Sequence, residues 1–443
     1  MFEGKVNNII VFFIYISIFV NSIVLIKEPV EFYIGYLVFI LLLPVFINRY
    51  GMPGNLTVIF SLLFVSGIMN IFLGYNTVGL FFKVFFGVFF SYLFYYYVIL
   101  ESKYNIEKLF QLYLKGCFIV CLIGLIQLVS FKLHFTPGYD FGWILNKWGV
   151  YDRGDFGICV NSIFGEPTYF GATVSAGMFV ALYNLISRKP YYLGRIQSAV
   201  ILVAYLLSYS GLAYTAFFLA IIFLFINFGL IRYVLVFVPI LLGSFYFMYK
   251  NVADFRERYD STISIFSTGK FQIGQTHGSS IILYNNYRVA MENFSRNWLL
   301  GTGLGSHSVA FDKYSLMKNE KISGFNQNGA DASSMLLRLI SETGLVGAGF
   351  MLFLTFRCFV PRSQIADAKV PEHYWLISGS IIVIILVNLF RQGNYFLNGF
   401  PFFIWIYYYN YIGYKKFIAG LAYKKTELQV QDPKASGIAN STE

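Results

Sequence analysis

Residues 196–228 read IQSAVILVAYLLSYSGLAYTAFFLAIIFLFINF and contain no Asp, Glu, Lys or Arg. As a single helix rising 1.5 Å per residue, this stretch would be about 50 Å long, whereas the hydrocarbon core of a bilayer is ~30 Å thick. The run is therefore too long for one upright membrane helix. Ser208-Tyr209-Ser210-Gly211 contains its best turn residues, so we predict two helices with a break there.

The rest of the chain resembles this stretch in composition. Of its 443 residues, 57% are hydrophobic, 20% are aromatic and only 12% are charged, and the mean hydropathy is +0.62. A soluble domain carries about 25% charged residues. The composition therefore argues against a soluble enzyme, a DNA-binding protein or a disordered chain. The four cysteines have no spacing typical of a disulfide scaffold or a zinc site.

Apolar runs and charge breaks predict an all-α polytopic membrane protein with about 12 transmembrane helices. The predicted spans are 8–26, 30–48, 56–74, 80–100, 112–130, 167–186, 196–208, 211–228, 233–249, 334–356, 374–390 and 397–413.

The net charge of +11 predicts the orientation of these helices. Lys and Arg favour cytoplasmic loops. With a cytoplasmic N-terminus, every predicted inner segment is basic, and the short outer loops hold only Lys27, Lys83 and Arg391. The basic residues of the inner segments are Arg49, Lys103, Lys108, Arg188, Lys189, Arg195, Arg232, Arg357, Arg362, Lys369, Lys415, Lys416, Lys424 and Lys425. We therefore expect both termini to be cytoplasmic.

This topology divides the chain into six segments and places two long ones outside. They are an N-terminal five-helix membrane segment (1–130), a first outer loop (131–166), central transmembrane helices (167–249), a large outer loop (250–333), C-terminal transmembrane helices (334–413) and a basic cytoplasmic tail (414–443). Both outer loops are longer than simple connectors, so we expect the function to reside in them.

The first outer loop ends in Gly165-Glu166-Pro167, directly before an apolar run. Proline suits the first turn of a helix, so Glu166 is predicted at a helix N-terminus. Two interpretations follow. Glu166 caps the helix, or it is a carboxylate that faces a polar cavity, since an ionisable residue at the membrane edge needs a partner or a task.

The large outer loop carries nine cationic residues, among them Arg256, Arg258 and Arg288. The planar guanidinium group binds phosphate through two parallel hydrogen bonds, so these residues indicate an anionic substrate such as a diphosphate. The alternative is a solvated surface with ion pairs such as Arg288 with Glu292.

Gly301-Thr302-Gly303-Leu304-Gly305 and the following His307 also allow two interpretations. The glycines let backbone amides approach an anion, or they form a tight turn. His307 is a candidate base because imidazole titrates near neutrality, although a single loop histidine is more often incidental.

Polar residues also occur where the C-terminal helices are predicted to meet the outer surface. Asp331 can cap the helix that contains Arg338 and Glu342, which are four residues apart on one face. Such a pair usually fixes helix packing. Arg391-Gln392-Gly393-Asn394-Tyr395 follows the next span and returns to the same side, where Arg391 could equally be an interface anchor.

The order of these motifs resembles the O-antigen polymerase and O-antigen ligase superfamily of bacterial envelope glycosyltransferases. The resemblance comprises Gly165-Glu166-Pro167, the Ser-x-Ser-Gly break, the segment from Asn297 to Gly305 and Ser341 to Gly344, and it covers residues 160–345. It implies a GT-C-like glycosyltransferase architecture with a large helical periplasmic loop, located in the bacterial inner membrane with its active site facing the periplasm.

The resemblance also implies a reaction and its partners. The substrate would be an oligosaccharide on undecaprenyl diphosphate, and the enzyme would transfer the growing chain to the non-reducing end of the incoming unit without a metal or cofactor. A polysaccharide co-polymerase that regulates chain length and a flippase would be partners, and nucleic acid would not.

Site residues follow from the same resemblance. Arg288 is the first choice for binding the diphosphate, Arg153 and Arg391 are second choices, and Glu166 would organise the acceptor or assist its deprotonation with Glu342 in support. The base stays open among Glu166, His307 and Asp331, or none of them. Residues expected to contact diphosphate or glycan include Arg256, Arg258, Asn394 and Tyr395.

Two alternatives to the polymerase remain. Ligases and protein-glycosylating relatives typically have a histidine shortly before the span that begins here near Ser334, and this chain has Asp331-Ala332-Ser333 instead. We therefore favour a polymerase over a ligase. A lipid-linked oligosaccharide flippase or other transporter would tend to have charges at the membrane midplane and short outer loops, whereas here the charges lie at the outer ends.

Overall fold

The computed structural model describes residues 8–27, 31–152, 157–228, 234–251, 253–269, 278–317, 328–362 and 370–431. Within these ranges the chain is helical, apart from its loops and one short antiparallel hairpin formed by β1 (Val24–Ile26) and β2 (Phe32–Tyr33). The helices are α1 (Asn8–Phe19), α2 (Ile34–Tyr50), α3 (Gly54–Phe72), α4 (Val78–Glu101), α5 (Ile106–Lys132), α6 (Thr136–Tyr139), α7 (Pro167–Ile186), α8 (Arg195–Leu206), α9 (Gly211–Asn227), α10 (Val234–Asn251), α11 (Ala253–Thr268), α12 (Gly278–Arg296), α13 (His307–Tyr314), α14 (Met335–Arg357), α15 (His373–Arg391) and α16 (Phe400–Gln431).

The prediction of an all-α membrane protein is confirmed. Among the described residues, six helices are long and apolar enough to cross a membrane, namely α3, α4, α5, α7, α14 and α15. Four shorter apolar helices accompany them: Ile10–Phe19, Ile34–Tyr50, Arg195–Leu206 and Gly211–Asn227. A helix overlies each of the twelve predicted ranges. The number of twelve spans stays a prediction.

The predicted break in the long apolar run is present. Helix α8 ends at Leu206, and α9 begins at Gly211. Tyr209 adopts a positive φ of 48°, and the buried Ser208 hydroxyl donates a hydrogen bond of 2.7 Å to the Tyr205 carbonyl. Local side-chain bonding of this kind gives the backbone an alternative to helix continuation, so Ser and Gly end the helix here.

One predicted span boundary is wrong, and one helix continues beyond its predicted span. The first span was expected to reach residue 26, but α1 ends at Phe19 and residues 24–26 form a strand. Asn146 holds this strand in place, because its side chain both accepts from the Val24 amide and donates to the Val24 carbonyl. At the other end, α16 continues past the predicted span, which ends at 413, as far as Gln431, since the Lys, Glu, Leu and Gln residues that follow favour helix.

Helices α7 and α15 form the centre of the bundle. In each of these helices, 78% of the 18-residue apolar stretch that could cross a membrane is buried, against 17% of the corresponding stretch of α3. Helix α3 instead exposes large apolar side chains such as Leu62, Val65 and Phe72, as expected for a helix that faces lipid. In the large outer loop, α12 packs against α14, with Val289 and Ala290 fully buried.

Candidate functional site

A cavity of about 840 Å³ opens at one end of the helix bundle. The N-terminal ends of α4, α7, α9 and α12 and the C-terminal end of α15 meet there. These are the helix ends that the charge pattern predicts to be outside. The ionisable residues of its lining are Glu31, Tyr33, Tyr36, Lys83, Lys147, Tyr151, Asp152, Cys159, Glu166, Tyr169, Tyr209, Asp331, Arg338 and Arg391.

Glu166 faces this cavity from the residue before α7. It occupies the N-cap position, but its side chain makes no capping hydrogen bond. The structure therefore favours the interpretation of Glu166 as a cavity carboxylate. Desolvation by the surrounding protein raises the pKa of Glu166 above its ordinary value, the positive charge of Lys147 opposes this rise, and the negative charge of Asp331 adds to it.

Asp331 supplies a second carboxylate to the cavity lining. The prediction that it caps the following helix is wrong, because the Ser334 hydroxyl accepts the hydrogen bond from the Leu337 amide at 3.3 Å. Asp331 instead accepts from the Ser333 amide at 3.0 Å. Burial raises the pKa of Asp331, and that amide together with the charges of Arg338 and Lys147 opposes the rise.

Arg338 joins the cavity to the helix packing behind it. Its Nε donates to Glu342 at 3.0 Å, and its Nη1 donates to the Gly393 carbonyl at 2.9 Å. The guanidinium carbon lies 4.3 Å from the centroid of the Tyr395 ring. The predicted pair is thus formed, with Glu342 fully buried behind the cavity wall. Arg338 lines the cavity and also fixes the turn that follows α15.

The end of α15 and that turn present two of the predicted residues to the cavity, Arg391 and Asn394. The Asn394 side-chain oxygen accepts hydrogen bonds from the Phe396 and Leu397 amides, both at 3.1 Å, which shape the turn. The Arg391 side chain is half-buried and forms no hydrogen bond or ion pair with another residue of the described ranges. Its guanidinium group is therefore available to a ligand.

The sequence interpretation missed a polar cluster in the cavity wall. Lys147 Nζ lies 2.6 Å from Glu31 Oε2 and 2.6 Å from the Tyr33 hydroxyl oxygen, and the Tyr33 hydroxyl donates to Glu31. Desolvation raises the pKa of Glu31, but the hydrogen bonds from Lys147 and Tyr33, together with the positive charges of Lys147 and Lys83, outweigh it and lower the pKa overall. Lys83 also lines this wall. The sequence did contain a signal for this cluster: Lys83 and Lys147 are predicted outside the membrane, whereas lysine usually favours the cytoplasmic side.

Several predicted residues do not line the cavity. Arg288 is exposed on α12, about 180° around the helix from Ser279, which does line it. The predicted pair of Arg288 with Glu292 is wrong, because Glu292 bonds Arg296 at 2.8 Å. Arg256 is exposed on α11. The side chain of Arg258 lies outside the described residues, as does Arg153.

His307 is fully buried beneath the cavity and is not part of its lining. Its Nδ1 lies 3.1 Å from Ser341 Oγ, and its Nε2 lies 3.2 Å from Asn286 Oδ1. Burial, assisted by the charge of Arg338, lowers the pKa of His307 to about 3. The imidazole is therefore neutral near pH 7 and held by partners on both nitrogens.

The glycine cluster docks the large outer loop on α14. The Gly303 amide donates to the Glu342 carbonyl at 2.8 Å, and the Thr302 amide donates to the Ser341 carbonyl at 3.3 Å. A Cβ on Gly301 would lie 2.4 Å from the Glu342 carbonyl carbon. These amides are already bonded within the protein, so the geometry favours the tight-turn interpretation over an anion cradle.

On the α14 side of this contact, Gly344 lies against the loop, and it supports a stability prediction. It has a φ of 61°, and an added Cβ would lie 2.5 Å from the Leu299 carbonyl oxygen. We expect Gly344→Ala to lower the free energy of unfolding by more than about 2 kcal/mol, because backbone strain and overlap add together. Thermal unfolding of the purified protein in detergent would measure this.

Gly349→Ala is the matched control, since it lies in the same helix with no atom within 4 Å of the added Cβ. There we expect no loss of stability, because alanine favours helix over glycine. Equal unfolding temperatures for the two variants would contradict the docking of the loop on Gly344.

Comparison with known proteins adds no family assignment. No protein-family model matches the chain, and a search of curated proteins finds no relative. Among the described residues, no group of three or more His, Cys, Asp or Glu side chains has the geometry to hold a metal ion.

Proposed function

We propose that this protein is a membrane glycosyltransferase that polymerises oligosaccharide units carried on undecaprenyl diphosphate, for O-antigen or a related surface polysaccharide. The observation that supports this best is the cavity itself, in which Glu166 and Asp331 share a site with Arg391, Lys83 and Lys147. Carboxylates together with cations suit a reaction in which a hydroxyl attacks and a diphosphate leaves. The motif order resembling the O-antigen polymerase superfamily supports the same function.

Arg391 is our choice for the leaving diphosphate, in place of Arg288. Arg391 lines the cavity and has no protein partner in the described ranges, whereas Arg288 is exposed on the far side of α12. Arginine binds a diphosphate through paired, charge-assisted hydrogen bonds. Arg338 is committed to Glu342 and Gly393, so it serves mainly to hold the turn that directly follows Arg391.

The transfer step then needs one base and one leaving group. The hydroxyl oxygen at the non-reducing end of the incoming unit attacks the anomeric carbon of the growing chain. A new glycosidic bond forms while the bond from that carbon to the phosphate oxygen breaks, and undecaprenyl diphosphate leaves with the electron pair. Glu166 accepts the hydroxyl proton, and Arg391 stabilises the negative charge that develops on the diphosphate.

The electrostatics of Glu166 suit this role. A general base works best when its pKa is close to the working pH. Desolvation and the neighbouring Asp331 carboxylate both raise the pKa of Glu166. Tyr33, Tyr151 and Tyr169 also line the cavity and offer apolar ring faces with a polar tip, which match the mixed surface of a sugar.

The proposed orientation places the cavity on the periplasmic face of a bacterial inner membrane, with twelve spans and both termini in the cytoplasm. Supporting it, the lining comes from the helix ends opposite the basic inner segments. Substrates would enter from the outer leaflet, where lipid-linked units are presented after a flippase has acted. A chain-length regulator would be a further partner.

Deletion of the gene in its source organism, followed by gel analysis of the envelope glycans and of the lipid-linked pool, tests the proposal. We expect the glycan ladder to collapse to a single repeat on its final acceptor, and the ladder to return on complementation. In membranes that contain the protein, extension is expected to persist in excess EDTA.

Each alternative gives a different pattern in the same experiment. Long chains stranded on the lipid carrier would indicate a ligase, and unextended units trapped on the cytoplasmic side would indicate a flippase. An unchanged ladder, or extension that stops in EDTA and recovers with added divalent cation, would contradict the mechanism proposed above.

A further inference from the structure

A second cavity, of about 370 Å³, lies at the opposite end of the bundle. It is lined by the first residues of α5 and α15 and by the middle of α16. Helix α15 runs from this cavity, at His373, to the first cavity, at Arg391. Its 19 residues rise about 28 Å at 1.5 Å per residue. The second cavity is therefore on the other side of the membrane and is not a subsite of the first.

Aromatic rings form one part of this second cavity. Tyr104, Tyr374 and Tyr409 all line it, and the Tyr104 and Tyr409 ring centroids are 5.2 Å apart at an interplanar angle of 57°. Tilted aromatic rings around an opening are a favourable environment for an organic cation, which is attracted to the ring faces.

Acceptor groups lie beside these rings. Glu107 lines the cavity, and its Oε2 is 3.4 Å from His373 Nδ1. Asn410 is 1% exposed; its Nδ2 donates to the Tyr374 carbonyl at 2.8 Å, but its Oδ1 has no hydrogen-bond partner among the described residues. A buried acceptor without a donor is costly, so this atom points to a ligand that carries N–H or O–H.

A cation completes the lining. Lys416 is exposed and lines the cavity from α16. The cavity thus combines a region suited to a cation with a lysine suited to a phosphate. Because the first turns of α5 and α15 begin membrane-length apolar helices, the cavity lies at the depth where phospholipid headgroups occur.

We propose that this cavity binds the headgroup of a phosphatidylethanolamine molecule in the cytoplasmic leaflet. Its ammonium group would lie among the tyrosine rings and donate to Asn410 Oδ1 and Glu107, and its phosphate would contact Lys416. The unpartnered Asn410 oxygen favours a primary ammonium, since the trimethylammonium group of phosphatidylcholine has no N–H to donate. A purely anionic headgroup would leave Glu107 opposite a negative charge. The proposal is independent of the function assigned to the first cavity.

Native mass spectrometry of the full-length protein in detergent tests this, with phosphatidylethanolamine, phosphatidylcholine and phosphatidylglycerol of identical acyl chains added as probes. We expect phosphatidylethanolamine to be retained at least tenfold more strongly than phosphatidylcholine. Lys416→Gln is expected to reduce the retention of phosphatidylethanolamine several-fold. Glu107→Gln is expected to reduce the ratio of phosphatidylethanolamine retention to phosphatidylglycerol retention.

Lys415→Gln is the matched control. Lys415 is the exposed neighbour of Lys416 and does not line the cavity, so its loss should leave lipid retention unchanged. Equal retention of all three lipids, a preference for phosphatidylglycerol, or equal effects of the two lysine variants would overturn the proposal. Both lysines are exposed, so neither substitution endangers the fold, and the wild-type comparison of the three lipids is decisive even if Glu107→Gln fails to fold.

Discussion

Glu166→Gln is expected to reduce chain extension by about 10²- to 10⁴-fold, the usual contribution of a positioned general base. Glutamine keeps the size and shape of the side chain, but it replaces one acceptor oxygen by an NH2 group and cannot accept the proton. Because Glu166 makes no capping hydrogen bond, the variant should insert and accumulate normally. Polymer length on glycan gels, together with the amount of protein in the membrane, would measure both effects.

The pH dependence gives a second readout for the same residue. The base is active when deprotonated, so extension should fall on acidification through the pKa of Glu166, which lies above the ordinary value of 4.5. The residual activity of Glu166→Gln should lack this acidic limb. Asp140→Asn is the control, since Asp140 belongs to the same outer loop but not to the cavity lining. A wild-type rate of extension for Glu166→Gln would indicate that Glu166 has a purely structural role.

Arg391→Ala is expected to reduce extension by about 10²- to 10³-fold, comparable to the loss of one preorganised group that stabilises developing negative charge. The structural reason is that Arg391 lines the cavity without a protein partner in the described ranges. Arg391→Lys should recover part of the activity, because lysine keeps the charge but loses the paired hydrogen bonds. If Arg391 were only an interface anchor, extension per inserted protein would be unchanged in both variants.

Arg288→Ala is the matched comparison, since the family resemblance favoured Arg288 and the geometry favours Arg391. Arg288 is exposed on the far side of α12, so its loss should change extension less than tenfold. The assay is extension in membranes with equal protein levels. A severe loss in Arg288→Ala with a mild loss in Arg391→Ala would reverse our assignment of the diphosphate site.

The sequence predicted the helices well, because membrane insertion depends on local apolar length. The break between α8 and α9 and the pair of Arg338 with Glu342 were also accessible, since both follow from short-range helix geometry. The end of α1 was not accessible. It depends on Asn146, more than a hundred residues away, which holds Val24 in a strand.

The candidate site was predicted only in part, because it too depends on contacts between residues that are far apart in the sequence. Glu166, Asp331 and Arg391 were identified because each stands beside a helix end, where a charge in a membrane protein needs an explanation. Arg288 and His307 were selected by type and order, but rotation around α12 and burial beneath the cavity remove them from its lining. The Lys147–Glu31 pair joins two loops and has no local signature.

The cavity is built from residues spread over most of the chain, from Glu31 to Leu397, and this sets a time order for its assembly. At a synthesis rate of about 5–20 residues per second, Arg391 follows Glu166 out of the ribosome by roughly 10 to 45 s. During that interval the nascent protein already carries the proposed base but lacks the arginine. The proposed lipid-linked substrate would therefore meet a complete site only after residue 391 has been translated, and a chain terminated before it lacks the group assigned to the leaving diphosphate.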